Sequence, residues 1–262
     1  MRRILFLLYG IVAYAFFLVV FMYAIGFVGN LVVPKSIDSG VAGAVGLALV
    51  VDAALLTLFA LQHSGMARPA FKRWWTRVVP EPIERSTYVT MASAALALVF
   101  ALWRPLPHIV WRVDNPVGAG VLWALFGIGW TVVLVSTFMI GHADLFGLRQ
   151  VWLNMLGRTR GPDRFGMPAF YRIVRHPIMV GFLIAFWATP VMTQGHLLFA
   201  IATTGYILLA VQLEERDLIA HFGNAYREYR ARVPGFIPFT GGRKMKEPLT
   251  DTTLTRPQRS RT

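Results

Sequence analysis

Long apolar runs recur along this chain, and they constrain its fold more than any other feature. A helix that crosses the hydrocarbon core of a membrane needs about 20 predominantly apolar residues. Four runs meet that length with at most one Asp, Glu, Lys or Arg each: Ile4–Gly29, Val41–Leu61, Ser86–Trp103 and Val117–Ile140. A fifth stretch, Pro177–Leu213, is broken near Pro190 and predicts two shorter helices joined by a tight turn. The sequence therefore predicts an all-α polytopic membrane protein with five to six transmembrane helices and no strand.

Composition narrows the possible classes of protein further. Of the 262 residues 56% are hydrophobic and 15% are charged, whereas soluble domains average about 45–50% apolar and about 25% charged residues. The formal net charge of +13 would suit a nucleic-acid-binding protein, but here the charges lie between the apolar runs. We therefore expect the lipid bilayer, and no nucleic acid, as a partner. The absence of cysteine from the sequence excludes disulfides, a thiolate nucleophile and Cys-ligated metal sites.

The distribution of basic residues predicts an orientation. If the amino terminus lies inside, alternation of the runs leaves only Lys35, Arg104 and Arg112 of the 26 Lys and Arg in outer segments. Positive residues favour the cytoplasmic side, so we expect a bacterial inner (cytoplasmic) membrane protein with both termini in the cytoplasm. The first residues also resemble a signal peptide, but the run continues apolar through Val28, which favours an uncleaved anchor.

The runs predict one integral membrane domain over residues 1–240, followed by a flexible basic tail over residues 241–262. Asp52 lies inside the second run, where a charge is costly. We expect it to be protonated, or partnered by a Thr, Tyr or His of a neighbouring helix, with a role in packing. Small residues of the same region, among them Gly43 and Gly46, predict close helix packing.

Polar residues at several predicted helix ends converge on the cytoplasmic face. Each taken alone also suits a simple anchor in the headgroup region. Together they predict a cytoplasmic-face cofactor pocket. They are Gln62, His63, Ser64, Ser86, Tyr88, Gly141, His142, Asp144, Arg175, His176, Pro177, Glu214 and Glu215.

The tripeptide Arg175-His176-Pro177 has the features of an anion-binding helix start. Proline suits the first helical position, because its missing N–H is not needed there. The free amides of the first turn and the helix dipole attract an anion such as a carboxylate. The alternative is an ordinary positively charged flank.

Glu214 and Glu215 directly follow an apolar stretch, where carboxylates need solvent, a counter-ion or a ligand. They also lie where the helix dipole disfavours anions. Neutralisation by Arg216 and its basic neighbours is one interpretation. The other is a ligand with hydroxyls or an ammonium group, so that both features together suit a zwitterionic or cationic small molecule.

The C-terminal third of the chain resembles a known superfamily. The segments Arg175–Gly181 and Glu214–Leu218, followed by Phe222-Gly223 and Val233-Pro234, are similar to the signature of membrane isoprenylcysteine carboxyl methyltransferases and phospholipid methyltransferases. The resemblance implies a site for S-adenosylmethionine formed by Arg175, His176, Pro177, Met179, Gly181, Glu214 and Glu215. One departure is Met179, which stands where the superfamily commonly has Tyr.

The front part of the chain resembles one branch of that superfamily. The segments Gln62–Pro69, Ile83–Tyr88 and Phe146–Val151 are similar to the bacterial methanethiol S-methyltransferases. This implies in-line transfer of a methyl group from S-adenosylmethionine to a small thiol as its thiolate. The candidates for activating the thiol, by location only, are His63, Tyr88, His142 and Arg149. The histidines lack the spacing of a metal site, so no metal is predicted.

Two alternatives stay open at this stage. One keeps the fold and changes the acceptor to a prenylcysteine carboxylate or a phospholipid amine. The other is a non-catalytic membrane binding protein or transporter, for which only Asp52 offers an intramembrane polar group. The sequence leaves the oligomeric state, the range of thiols and the identity of the base undetermined.

Overall fold

The computed structural model describes residues 1–159, 161 and 165–240, so the predicted tail over 241–262 lies outside the described residues. Two short strands, β1 (Ile109–Arg112) and β2 (Val191–Thr193), and a 3-10 turn (Ala169–Arg172) accompany the helices. The helices are α1 (Arg2–Gly29), α2 (Val45–Ala67), α3 (Pro69–Trp75), α4 (Glu81–Leu102), α5 (Pro116–Met139), α6 (His142–Leu145), α7 (Leu148–Met155), α8 (Pro177–Trp187), α9 (Gln194–Phe222) and α10 (Asn224–Arg232).

Within the described part of the chain, five helices are long and apolar enough to cross a membrane, namely α1, α2, α4, α5 and α9. The shortest of them has 22 residues and extends about 33 Å, against a hydrocarbon core of about 30 Å. Helix α8 has only 11 residues, about 16 Å, so it cannot cross as a helix. The extended residues after it carry the chain on to β2. The prediction of a helical multi-pass membrane protein is confirmed.

The strands form an antiparallel pair that connects the segment between α4 and α5 to the segment between α8 and α9. Ile109 lies opposite Thr193, and Arg112 lies opposite Val191. The prediction that the chain has no strand is therefore wrong for these residues. Strands of four and three residues are too short for an alternating pattern to be visible in sequence. We call this end of the molecule the ribbon end and the opposite end, where α1 begins and α9 ends, the site end.

Helices α5 and α8 approach each other closely through two glycines, Gly129 and Gly181. A Cβ on Gly129 would lie 2.6 Å from the backbone nitrogen of Ala185, and a Cβ on Gly181 would lie 2.6 Å from the Gly129 carbonyl oxygen. The two backbones are therefore in direct contact. The predicted close packing at Gly43 and Gly46 is wrong, because a Cβ at either position would meet nothing within 4 Å.

The fully buried Asp52 is held by the backbone. Its Oδ1 accepts a hydrogen bond from the N–H of Arg104, at 2.8 Å. The partner is thus a main-chain amide just beyond α4 rather than the expected Thr, Tyr or His side chain. Residues after a helix end have N–H groups that need an acceptor, so Asp52 ties α2 to the end of α4. Its expected packing role agrees with this contact.

Candidate active site

Glu215 is the centre of a charged network at the site end. Its Oε1 lies 2.7 Å from Arg175 Nε and 3.0 Å from His176 Nε2, and its Oε2 lies 3.1 Å from Arg230 Nε. Glu215 is only 6% exposed. The sequence suggested Arg216 as a neutralising neighbour, but the counter-ions are Arg175 and Arg230. The network joins the start of α8 to the last third of α9 and to the end of α10.

The start of α8 has the predicted geometry. His176 is the N-cap and Pro177 is the first helical residue. The backbone N–H groups of Arg175 and His176 donate to the carbonyl oxygens of Pro234 and Gly235, at 2.8 and 3.2 Å. The segment after α10 therefore runs along the start of α8 and holds it in place.

Most N–H groups of the Arg175 guanidinium already donate hydrogen bonds within the protein. Beyond its contact with the network carboxylate, it donates to the carbonyl oxygens of Arg230 and Val233. The first-turn amides of Ile178 and Met179, by contrast, have no hydrogen-bond partner among the described residues. These two N–H groups, at the positive end of the α8 dipole, are the donors that remain for an anion.

Glu214 differs sharply from its neighbour. Its side chain is 48% exposed, whereas that of Glu215 is 8% exposed. The closest approach of Glu214 to His176 is 3.8 Å, between Oε2 and Nδ1, which is too long for a hydrogen bond. Arg68 is within electrostatic range of Glu214 but pairs with Asp217 at 2.9 Å. Glu214 therefore presents an accessible carboxylate beside positive charge.

Four phenols lie within electrostatic range of Glu214, namely Tyr88, Tyr171, Tyr206 and Tyr226. Burial, and secondarily the charge of Glu214, raises the pKa of Tyr171 above its ordinary value. The Tyr171 phenol therefore stays protonated at neutral pH. Sequence reasoning singled out Tyr88 as a site residue and missed Tyr171 and Tyr206. Tyr206 lies in the middle of an apolar run, eight residues before Glu214, and no motif marks it.

His63 forms a second polar centre near the site end of α2. Its Nδ1 lies 2.8 Å from the Tyr206 phenol oxygen, which also lies 2.9 Å from Ser64 Oγ. The rings of Phe59 and Tyr88 flank the imidazole, with centroids 5.4 and 5.6 Å away. No described residue donates to or accepts from His63 Nε2 through a hydrogen bond, so this nitrogen is available to a substrate.

His142 lies elsewhere, between α1 and α5. Its Nδ1 is 2.8 Å from Thr137 Oγ1, and its Nε2 is 2.8 Å from the Tyr14 phenol oxygen. Because the Thr137 hydroxyl donates to the Leu134 carbonyl, at 2.7 Å, Nδ1 must carry the ring proton and Nε2 accepts from Tyr14. Burial lowers the pKa of His142, which agrees with a neutral ring. Both nitrogens are engaged in joining helices.

The other predicted site residues have local structural roles as well. Arg149 Nη1 forms an ion pair with Asp144 Oδ2 at 2.5 Å. Gly181 makes the contact with Gly129 described above, so its lack of a side chain is required by packing. Met179 lies half-buried in the first turn of α8. Among the described residues no group of three His, Cys, Asp or Glu is arranged to hold a metal ion.

Similarity to proteins of known name establishes the family. The chain is 56% identical over 239 residues to the methanethiol S-methyltransferase of Mycobacterium tuberculosis, which covers 91% of this chain and 98% of that relative. The chain belongs to the methanethiol S-methyltransferase family. It is also 52% identical over 241 residues to the methanethiol S-methyltransferase of Crocosphaera subtropica, covering 92% of this chain and 94% of that one.

Membership of the methanethiol S-methyltransferase family confirms the resemblance seen in the sequence and the expectation of a methyltransferase. A more distant similarity, 33% identity over 179 residues, links the chain to Nurim of Bos taurus and covers 65% of this chain and 68% of Nurim. No protein-family model matches the chain, and no solved structure matches it.

Proposed function

We propose that this membrane protein transfers the methyl group of S-adenosylmethionine to methanethiol and releases dimethyl sulfide. The observation that carries the proposal is identity above 50%, over about nine tenths of the chain, to enzymes named for that reaction. The site end supports it with two features, an accessible carboxylate at Glu214 and an imidazole at His63 whose Nε2 is available.

The residues around α8 suit the polar groups of S-adenosylmethionine, which when bound supplies a methyl group activated on a sulfonium. Glu214 is free to bind the α-ammonium or the ribose hydroxyls. In this proposal the amides of Ile178 and Met179 bind the carboxylate. In this proposal Glu215 keeps a different role, because its charge is already offset within the protein.

The thiol must lose its proton before it attacks, since the thiolate is the nucleophile and alkyl thiols are mostly protonated at neutral pH. His63 Nε2 is proposed to accept that proton. The rings of Phe59 and Tyr88 keep water away from the acceptor, and a defined position favours in-line transfer. We assign no role in proton transfer to His142, because both of its ring nitrogens are engaged.

The distribution of charge supports the proposed orientation. Of the Lys and Arg that the structure describes, all except Lys35, Arg104 and Arg112 lie at the site end. By the positive-inside rule the site end then faces the cytoplasm of a bacterial inner membrane, with both termini inside. Residues 1–240 would form one integral membrane domain.

The test is a reaction with detergent-purified protein, S-adenosylmethionine and methanethiol, with gas chromatography of the headspace. We expect dimethyl sulfide at a rate that rises with pH near neutrality, and one S-adenosylhomocysteine for each methyl transferred. Methylation of a prenylcysteine or a phospholipid amine, without turnover of methanethiol, would overturn the acceptor. Failure of the folded protein to bind S-adenosylmethionine in calorimetry would overturn the proposed cofactor.

A further inference from the structure

Tyr206 is a junction between two membrane-spanning helices. Its phenol oxygen, on α9, is 2.8 Å from His63 Nδ1 and 2.9 Å from Ser64 Oγ, both on α2. The Tyr206 ring packs edge-on against the rings of His63 and Phe59, at interplanar angles of 83° and 72°. The hydroxyl is therefore held in one position by ring packing as well as by hydrogen bonds.

The hydroxyls of Tyr206 and Ser64 suit a ring that gains and loses a proton. Each hydroxyl can donate one hydrogen bond and accept others. For Nε2 to accept a proton, the neutral ring must carry its own proton on Nδ1, so Nδ1 donates to the Tyr206 oxygen before and after the transfer, while the Tyr206 hydroxyl donates to Ser64 Oγ. A hydrogen bond to Nδ1 also sets the ring orientation and hence the direction of Nε2.

The position of Tyr206 agrees with an acceptor site next to the cofactor site. It precedes Glu214 by two helical turns, about 12 Å along α9, and the two side chains are within electrostatic range. A ligand held by Glu214 at the membrane surface would then extend toward His63, deeper in the bundle.

The charged and titratable groups that face His63 come from three directions. Arg68 follows α2, Arg85 and Tyr88 lie on α4, and Tyr206 lies on α9. Arg68 and Arg85 are both within electrostatic range of His63, and positive charge there would favour a thiolate formed beside the ring. The contribution left to His63 is then that of a correctly oriented base.

We propose that Tyr206, supported by Ser64, is a positioning residue that orients His63 Nε2 toward the acceptor thiol. The inference rests on the proposed function. In the step it serves, the S–H bond of the thiol breaks and its proton moves to Nε2. A sulfur electron pair then forms the new S–CH3 bond, the pair of the broken S–CH3 bond stays on the sulfur of the methyl donor, and the proton leaves to solvent.

The experiment compares Tyr206→Phe with wild type over a range of pH. The variant keeps the ring and loses the hydroxyl, so its affinity for S-adenosylmethionine should stay within about twofold of wild type. Its kcat/KM for methanethiol should fall about 10- to 100-fold at pH 7, as expected when a hydrogen bond to a charged group is lost. The deficit should shrink as the pH rises, because thiolate then forms without a base. The matched control is Tyr23→Phe at the ribbon end, which loses a phenol hydrogen bond of 2.9 Å to the Lys35 carbonyl and should keep wild-type kinetics.

A double-mutant cycle separates positioning from general stability. If Tyr206 acts through His63, the double variant Tyr206→Phe/His63→Gln should be no slower than His63→Gln alone. An equal deficit at every pH, or additive losses, would overturn the inference. If Tyr206→Phe does not fold, Ser64→Ala should show a smaller loss with the same pH pattern, and a pH-independent loss there would also overturn it. A wild-type protein that makes no dimethyl sulfide would instead refute the proposed function.

Discussion

Replacing the adjacent carboxylates Glu214 and Glu215 by Gln one at a time is expected to produce different defects, a loss of cofactor affinity for Glu214 and a loss of stability for Glu215. Glu215 is buried and offsets Arg175, whose side chain is 13% exposed. Removing one partner of a buried pair costs about 3–5 kcal/mol, and the pair with the more exposed Arg230 adds only about 0–1 kcal/mol. Since Gln keeps one acceptor oxygen, we expect Glu215→Gln to lower the free energy of unfolding by about 3 kcal/mol.

Glu214→Gln should leave stability almost unchanged, within about 0.5 kcal/mol, as for other exposed substitutions. If Glu214 binds the ammonium or ribose of the cofactor, its loss removes a charge-assisted hydrogen bond worth about 1.5–3 kcal/mol. The dissociation constant of S-adenosylmethionine should then rise about 10- to 150-fold.

The assay measures unfolding and S-adenosylmethionine calorimetry on the same detergent-purified preparations. Glu228→Gln serves as the control, because Glu228 is an exposed carboxylate on α10 at the same end of the molecule, and it should change neither quantity. Equal destabilisation by Glu214→Gln and Glu215→Gln would refute the separation of roles. So would wild-type affinity in a folded Glu214→Gln protein.

Three further results are expected. Alkaline phosphatase fused after Thr262 should be inactive, because that reporter needs the periplasm, and an active fusion would contradict the orientation. Burial lowers the folded-state pKa of His142 below its ordinary value of about 6.5, so the unfolded chain binds this proton more readily and the free energy of unfolding should fall as the pH drops through 6.5. Thermal unfolding between pH 8 and pH 5 should therefore show a flatter decline in stability for His142→Asn than for wild type, and an unchanged slope would refute the assignment. Gly129→Ala should lower the free energy of unfolding by about 2 kcal/mol or more, because the new Cβ would meet the α8 backbone. Gly127→Ala on the same helix meets nothing within 4 Å and should be neutral, so chemical unfolding that finds the two variants alike would contradict the packing.

Much of the fold follows from local sequence patterns. The length of the apolar runs predicts the spanning helices, and the break near Pro190 predicts the separation of α8 from α9. Pro177 is the first residue of α8 because its ring suits that position in any helix. The ribbon and the Arg104 partner of Asp52 could not be predicted in this way, because both depend on which links meet at the same end.

The sequence predicts which residues form the site better than it predicts what each of them does there. Arg175, His176, Glu214 and Glu215 do come together, although 37 residues of chain separate the two pairs along the sequence. Which carboxylate is buried was not predictable, since neighbouring helical residues point about 100° apart and only the placement of α8 and α10 selects one of them. Tyr206 carries no motif, and its importance depends on the contact of α9 with α2.

Partition between lipid and water acts on each segment separately. For that reason hydropathy and charge along the chain suffice to indicate a multi-pass membrane protein, its spans and the end that carries the positive charge. Ion pairing, tautomer choice and close backbone contact act between segments. The burial of Glu215, the occupied nitrogens of His142, the available Nε2 of His63 and the contact of Gly129 with Gly181 therefore came only from the tertiary structure, because each depends on which helix faces which at distances of 2.5 to 4 Å.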